Sequence, residues 1–280
     1  RGTVMGFWAT NYQAGGVAAN TLAAWVLGVA GFRYSYFAGA IILFIVWTIF
    51  VFYGKETPES VGLDPIIDEE PSVEGSSSDG GWTRTVVINI GLVGLFYFFV
   101  KFIRYAIWSW APYMLQTHYG MAGDKAGYLS TLFDLAGIAG VIAAGYISDR
   151  FFRGRRAKIS FYFVIAMTTA CGMLYMFGTS GLILFGTSIA LVGFFLYGPD
   201  ALMTGAGAIE VGSLQHATLC AGIINGMGSI GSVAQELLFG PMLDTAGPAA
   251  VFLTLLVASA LGAVCLGILV LRNRSGAADL

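Results

Sequence analysis

Eight apolar stretches divide the chain, at residues 4–29, 36–54, 86–117, 126–148, 158–178, 181–207, 217–241 and 248–271. A transmembrane barrel strand would alternate apolar and polar positions over ~10 residues. These stretches are longer and apolar on every side, and about twenty such residues cross a bilayer as a helix. The pattern predicts an all-α membrane protein with eight transmembrane helices. The third stretch is long enough to predict tilt, or an end that projects from the bilayer. Pro112 and the pair Gly198-Pro199 are predicted to bend or loosen their helices. Gly137, Gly140 and Gly145 in the fourth stretch, and Gly222, Gly226, Gly228 and Gly231 in the seventh, predict close helix approach.

One segment breaks the apolar pattern. Residues 55–84 hold eight acidic and two basic side chains around the linker-like run Gly75-Ser76-Ser77-Ser78-Asp79-Gly80-Gly81. Two apolar stretches precede it and six follow. Membrane proteins with a polar central loop often have equal halves. The uneven division, together with Arg1 where a Met would start a chain, leads us to expect a piece of a longer protein, with no signal peptide in view.

Composition narrows the classes further. Of the 280 residues 57% are hydrophobic and 11% charged, where a soluble domain carries about 25% charged residues. A soluble enzyme is excluded by that, and the net charge of −2 speaks against nucleic acid as a partner. Cys171, Cys220 and Cys265 sit singly in separate apolar runs, which is no disulfide framework. His118 and His216 lack metal-ligand spacing, and no triad, Walker or dinucleotide-binding motif stands in a suitable context. No metal and no cofactor is expected.

Lys and Arg placement sets the orientation. With Arg1 cytoplasmic, ten of the fourteen Lys and Arg residues face the cytoplasm, only Arg33 and Lys125 face outward, and Lys101 and Arg104 lie within a span. Both ends of the chain and the 55–84 loop are therefore expected in the cytoplasm, with a bacterial inner membrane as the expected home.

Charges at bilayer depth cost a few kcal/mol each and mark function. Lys101 and Arg104 are three residues apart on one helical face near the middle of the third span. Two cations together need anions nearby. Asp134, near the middle of the fourth span, is the expected internal partner, and a bound substrate anion is the other candidate. Arg offers a planar fork to phosphate and Lys a point charge, so the pair reads as an anion site. The competing account is a structural salt bridge. Asp200, behind Gly198-Pro199, is read as a coupling acid, as a balance for Lys101 or as a helix cap. Glu236 lies toward the outer end of its span. Trp108, one turn beyond Arg104, either lines a sugar site or packs.

Between the fourth and fifth spans stands Gly145-x-x-x-Asp149-Arg150-x-x-Arg153-Gly154-Arg155-Arg156. An Asp at a helix end can face a neighbouring helix N-terminus, with the Arg cluster holding it, as an electrostatic latch. This hairpin resembles the signature loop of the major facilitator superfamily. Residues 55–65, 102–112 and 129–140, Tyr197-Gly198-Pro199 and the run 222–231 resemble its organophosphate:phosphate antiporters, of the glycerol-3-phosphate and hexose-phosphate transporter type. The resemblance covers essentially the whole chain.

The resemblance implies that the eight spans are helices five to twelve of a twelve-helix fold. Residues 1–54 would be the last two helices of the N-terminal half, 55–84 the cytoplasmic central loop, and 85–280 the C-terminal six-helix bundle with a short tail. It implies exchange of a phosphorylated sugar or polyol for inorganic phosphate by alternating access, in a protein expected to be monomeric. Arg104 matches the family's helix-seven arginine and Asp134 its helix-eight acid; a second arginine belongs to helix one. Tyr12 stands where the bacterial glycerol-phosphate pattern has His, and Ser109 where the family has Asp before Trp-Ser-Pro. Asn11 and Gln13 are further polar candidates beside Tyr12. Substrate binding is thus expected at Arg104, Lys101, Tyr12, Asn11, Gln13 and Trp108, and charge pairing or coupling at Asp134 and Asp200. Two other readings stay open: a sugar-phosphate sensor of the same fold, and a proton-coupled organic-anion carrier.

Overall fold

A computed structural model describes residues 2–55, 57–62, 83–152 and 156–274, with side chains left undescribed at 2–6, 58, 205–217 and 274. The described residues are almost wholly helical: α1 Gly2–Ala30, α2 Phe32–Tyr53, α3 Arg84–Thr117, α4 Gly123–Ser130, α5 Leu132–Phe151, α6 Arg156–Phe177, α7 Leu182–Ala201 and α8 Gly207–Arg274. A 3-10 turn at Pro58–Val61 and a π-helical turn at Leu202–Ala206 complete the order. Six helical stretches among the described residues are long and apolar enough to cross a bilayer. Helix α1, diluted by Asn11, Gln13 and Asn20, is not among the six, and Thr218–Asn273 counts as one stretch.

That last stretch is the main difference from the eight expected spans, and its cause is local. A straight helix rises 1.5 Å per residue, so residues 242 and 254 would stand ~18 Å apart. Instead the Thr254 hydroxyl reaches Met242 Sδ at 3.5 Å. Between them Gly247 takes φ +74°, a backbone open to glycine at little cost, and Pro248 follows. Helix α8 therefore folds back on itself at Gly247 and presents two arms, close to the expected spans 217–241 and 248–271.

One further expectation is corrected. Helix α7 does not break at Gly198-Pro199; it continues to Ala201 with Pro199 inside it, and the irregularity comes after, as the π turn. Proline removes one N–H from the ladder, and a widened turn beside it is a common way to absorb that. The span expected at 126–148 forms as α4 and α5, which meet at Thr131 and make one candidate crossing, Gly123–Phe151.

Packing follows the glycines. A Cβ on Gly140 would lie 1.9 Å from the Phe194 carbonyl oxygen, and one on Gly193 would lie 2.0 Å from that of Phe133. Helices α5 and α7 thus touch backbone to backbone at two reciprocal points. Gly231 meets the Phe98 carbonyl of α3 in the same way, at 2.2 Å. Helix α1 lies along α4 and α5 on small residues, with a Gly127 Cβ set to strike Ala24 at 2.8 Å and Gly16 facing the Asp134 carboxyl at 3.5 Å. Helix α2 packs chiefly on α1 and buries none of its own side chains.

Gly140→Ala and Gly193→Ala are expected to lower stability by about 1–3 kcal/mol each, the usual penalty of overpacking. Gly222→Ala, where nothing among the described residues lies within 4 Å, is expected to stay within about 0.5 kcal/mol of the parent. Thermal unfolding in one detergent compares the three.

Candidate functional site

The site forms where α1, α3, α7 and the first arm of α8 converge. Helix α3 supplies its cations from one face: Tyr97, Lys101 and Arg104 follow at about one-turn intervals. Lys101 is 7% and Arg104 3% exposed, so both charges are inside the bundle.

Arg104 is held by a carboxylate and by rings. Its Nη1 donates to Asp200 Oδ2 at 2.5 Å. Its guanidinium carbon lies 5.3 Å from the Tyr12 ring centre, 5.5 Å from Tyr105, 5.8 Å from Trp108 and 6.0 Å from Tyr197. Aromatic faces attract cations, by up to about 2 kcal/mol where water is excluded. Tyr12 also stacks on Trp108, with centroids 5.7 Å apart.

The expected Asp134 ion pair is not the one formed. Asp134 is fully buried but accepts from neutral donors, Trp108 Nε1 at 3.0 and 3.1 Å and the Tyr197 hydroxyl at 2.5 Å. The reason is height along α3. Asp134 stands level with Trp108, one turn beyond Arg104, whereas Asp200 on α7 stands level with Arg104 itself. Asp200 does not act as a helix cap; its side chain goes to Arg104.

Among the described residues Lys101 donates to neutral acceptors: Asn225 Oδ1 at 2.8 Å, Ser229 Oγ at 3.1 Å and the Asn225 carbonyl at 3.5 Å. Its Nζ also lies 5.0 Å from the Tyr97 ring centre. Sequence reasoning missed Asn225, Ser229 and Tyr97. Their signal was present, since Asn225 and Ser229 are polar residues four apart in a glycine-rich apolar run and so share a helical face.

A cavity of about 460 Å³ joins these groups, lined by residues of α1 (Trp8, Ala9, Asn11, Tyr12, Gln13), of α3 (Tyr97, Lys101, Arg104, Tyr105) and by Asp200, Ala201, Thr204 and Asn225. Five of the six residues expected to bind substrate line it; Trp108 stands behind Tyr12. Three buried polar atoms of the lining residues, Gln13 Oε1, Arg104 Nε and Asp200 Oδ1, have no hydrogen-bond partner among the described residues. Buried polar atoms are nearly always paired, so three unpaired ones at one cavity mark a site shaped for a polar ligand.

Ser109 donates to Glu236 in an exposed pair, away from the cavity lining. Of the expected latch, Gly145 is buried in α5, Asp149 and Arg150 are exposed at its end, and Arg156 opens α6. Arg153 and Arg155 lie outside the described residues.

Apolar helices around a cationic, aromatic-walled chamber define a multi-pass membrane protein with an internal polar site. The chain belongs to the major facilitator superfamily, whose model matches residues 1–235. It is a family of transporters, not enzymes. The chain is 29% identical over 259 residues to the glycerol-3-phosphate transporter of Bacillus subtilis strain 168, covering 87% of this chain and 58% of that protein. It is 26% identical over 284 residues to a probable hexose phosphate transport protein of Chlamydia pneumoniae, covering 93% and 62%. To the membrane sensor protein UhpC of Escherichia coli strain K12 it is 25% identical over 286 residues, covering 95% and 63%. The chain spans about three fifths of the length of these relatives.

Tyr197→Phe removes one donor from Asp134 and leaves a buried carboxylate oxygen short of a partner. The expected cost is about 1–3 kcal/mol, read from thermal unfolding. A change below about 0.5 kcal/mol would show that Trp108 alone satisfies the carboxylate.

Proposed function

We propose that the protein carries a phosphorylated sugar or polyol across the membrane in exchange for inorganic phosphate, by alternating access. The single observation behind this is the juxtaposition of buried Arg104 and Lys101 on the wall of one polar cavity. A phosphate monoester carries close to two negative charges near neutral pH, and two cations against one carboxylate leave the wall attractive to it. Arg104 supplies the fork with its free Nε, and Lys101 a movable point charge. Asn11, Tyr12, Gln13 and Trp8 give the hydroxyl-rich remainder of the substrate polar and aromatic contacts. The printed names of the Bacillus and Chlamydia relatives agree with this substrate class.

In this reading the described helices and the two arms of α8 are helices five to twelve of a twelve-helix transporter, a monomer in the inner membrane with both ends of this chain cytoplasmic. Residues 1–54 belong to the N-terminal half, 55–84 to the central loop and 85–280 to the C-terminal bundle. The two halves meet where α1 rests on α5, with Gly16 against Asp134. A substrate that engages Arg104 and Tyr12 together pulls on both sides of that contact, which is how binding would bias a rocking motion. Gly145, Asp149, Arg150, Arg153, Arg155 and Arg156 would latch the cytoplasmic side. One similarity favours a second reading: the relationship to the Escherichia coli sensor makes a sugar-phosphate sensor the alternative.

The test is labelled-phosphate exchange by the full-length protein in proteoliposomes loaded with glycerol 3-phosphate or glucose 6-phosphate. Arg104→Ala is expected to reduce exchange at least about a hundredfold, as loss of a buried charged partner does, and Lys101→Ala by about tenfold. Exchange of unaltered rate in Arg104→Ala would overturn the site. Binding of sugar phosphate without any exchange would favour the sensor.

A further inference from the structure

The four rings around Arg104 trace back to one carboxylate. The Trp108 indole N–H donates to both oxygens of Asp134, at 3.0 and 3.1 Å, and the Tyr197 hydroxyl donates to Oδ1 at 2.5 Å. These two rings stand 5.8 and 6.0 Å from the guanidinium carbon. The two nearer rings, Tyr12 at 5.3 Å and Tyr105 at 5.5 Å, both rest on Trp108. Tyr12 stacks on it with centroids 5.7 Å apart, and Tyr105 meets it edge to face at 5.3 Å. Rings from α1, α3 and α7 are thus set in place from a single residue of α5.

The donor geometry explains why that residue is an acid. An indole N–H lies in the plane of its ring, so a hydrogen bond there fixes the ring's rotation and leaves its faces for Tyr12 and Arg104. The Tyr197 hydroxyl is fixed in the same way, at the end of a ring that bare Gly137 admits against α5. Two donors converge on one short side chain, and an ionised carboxylate accepts at both oxygens without donating. Asp134 is fully buried and does not line the cavity. Gly16 of α1 closes over it, with space for a Cβ 3.5 Å from the carboxyl carbon. The whole arrangement is completed within α1, α3, α5 and α7, and its acceptor is already occupied and covered.

We propose that Asp134 is a positioning residue: it holds the aromatic cage that aims the Arg104 guanidinium, and so sets the affinity for phosphate without touching phosphate. This rests on the anion-binding reading above. A binding group keeps its aim only when its neighbours are locked by a supporting set of hydrogen bonds. A guanidinium left to find its orientation at the moment of binding loses affinity by the ordering it must then undergo. The contacts to Trp108 and Tyr197 give Asp134 its role, so the role should vanish with those two donors.

The experiment is binding of inorganic phosphate to the full-length protein by titration calorimetry, with thermal unfolding measured on the same samples. Inorganic phosphate has no sugar, so it reports on the cationic wall alone. Three variants are compared with wild type. Asp134→Leu keeps the branched shape and removes both acceptors; Trp108→Phe/Tyr197→Phe removes both donors; the third carries all three substitutions. Asp134→Leu is expected to weaken phosphate binding about tenfold, the scale of one hydrogen bond to a charged group. The combined variant is expected to bind no more weakly than Trp108→Phe/Tyr197→Phe, since the same interaction is lost only once. Its unfolding temperature is expected to exceed those of both partial variants, because apolar groups replace donors and acceptor together. Affinity that returns along with stability would mean a merely structural Asp134, and overturns the proposal. So does a further loss of about tenfold when Asp134→Leu is added to Trp108→Phe/Tyr197→Phe, the mark of an acid that meets ligand or another cation directly. If Asp134→Leu does not fold, Trp108→Phe and Tyr197→Phe decide singly, and wild-type affinity in both overturns the proposal. Arg104-dependent phosphate binding with wild-type affinity in Asp134→Leu overturns this inference and leaves the proposed function standing; no phosphate binding by wild-type protein overturns both.

Discussion

The structure is organised around hiding one guanidinium. An arginine near mid-span is largely withdrawn from water, Arg104 being 3% exposed, and the effective penalty for burying an ion is several kcal/mol. Here the burden is shared among a carboxylate from α7 and four aromatic rings drawn from α1, α3 and α7. Those helices must therefore keep a fixed rotation about their axes, since a small turn of any one removes its group from Arg104. Lys101 adds the same demand on the first arm of α8 through Asn225 and Ser229. Polar contacts of this kind specify the bundle where apolar helix faces, alike toward lipid and toward each other, cannot.

Glycine makes that arrangement reachable. A Cβ on Gly137 would lie 2.2 Å from Cδ2 of Tyr197, so only a bare backbone there lets the tyrosine sit flat against α5 and extend its hydroxyl to Asp134. Gly228 plays the matching part on α8, where a Cβ would crowd Tyr97 and the Lys101 stem at 2.6 and 2.9 Å. The small residues and the charged site are thus one design: close approach places short polar side chains within reach of α3.

Much of this was readable from residue order. The apolar stretches located most of the helices to within a few residues, because a bilayer crossing needs a length no other feature supplies, but they gave no sign that the last two would share one helix from Gly207 to Arg274. The cations stood out because Lys and Arg are rare in such stretches, and five of six expected binding residues line one cavity. The choice of acid for Arg104 was not readable. Asp134 and Asp200 both lie in apolar spans, and which one meets Arg104 depends on the relative heights of α5 and α7, fixed by the backbone contacts at Gly140 and Gly193. Gly198-Pro199 misled in position: it marked an irregularity that the chain defers to residues 202–206.

The reversal at Gly247 bears on how Lys101 keeps its partners. The two arms of α8 are joined by a short connection in which only Asp244 and Thr245 are polar, and Met242 already touches Thr254 across the turn. So tight a turn leaves little slack between the arms, and the position of the first along α3 is tied to that of the second. Asn225 and Ser229 sit on the first arm, so the acceptors of the Lys101 ammonium are held in register by a glycine on the far side of the same helix.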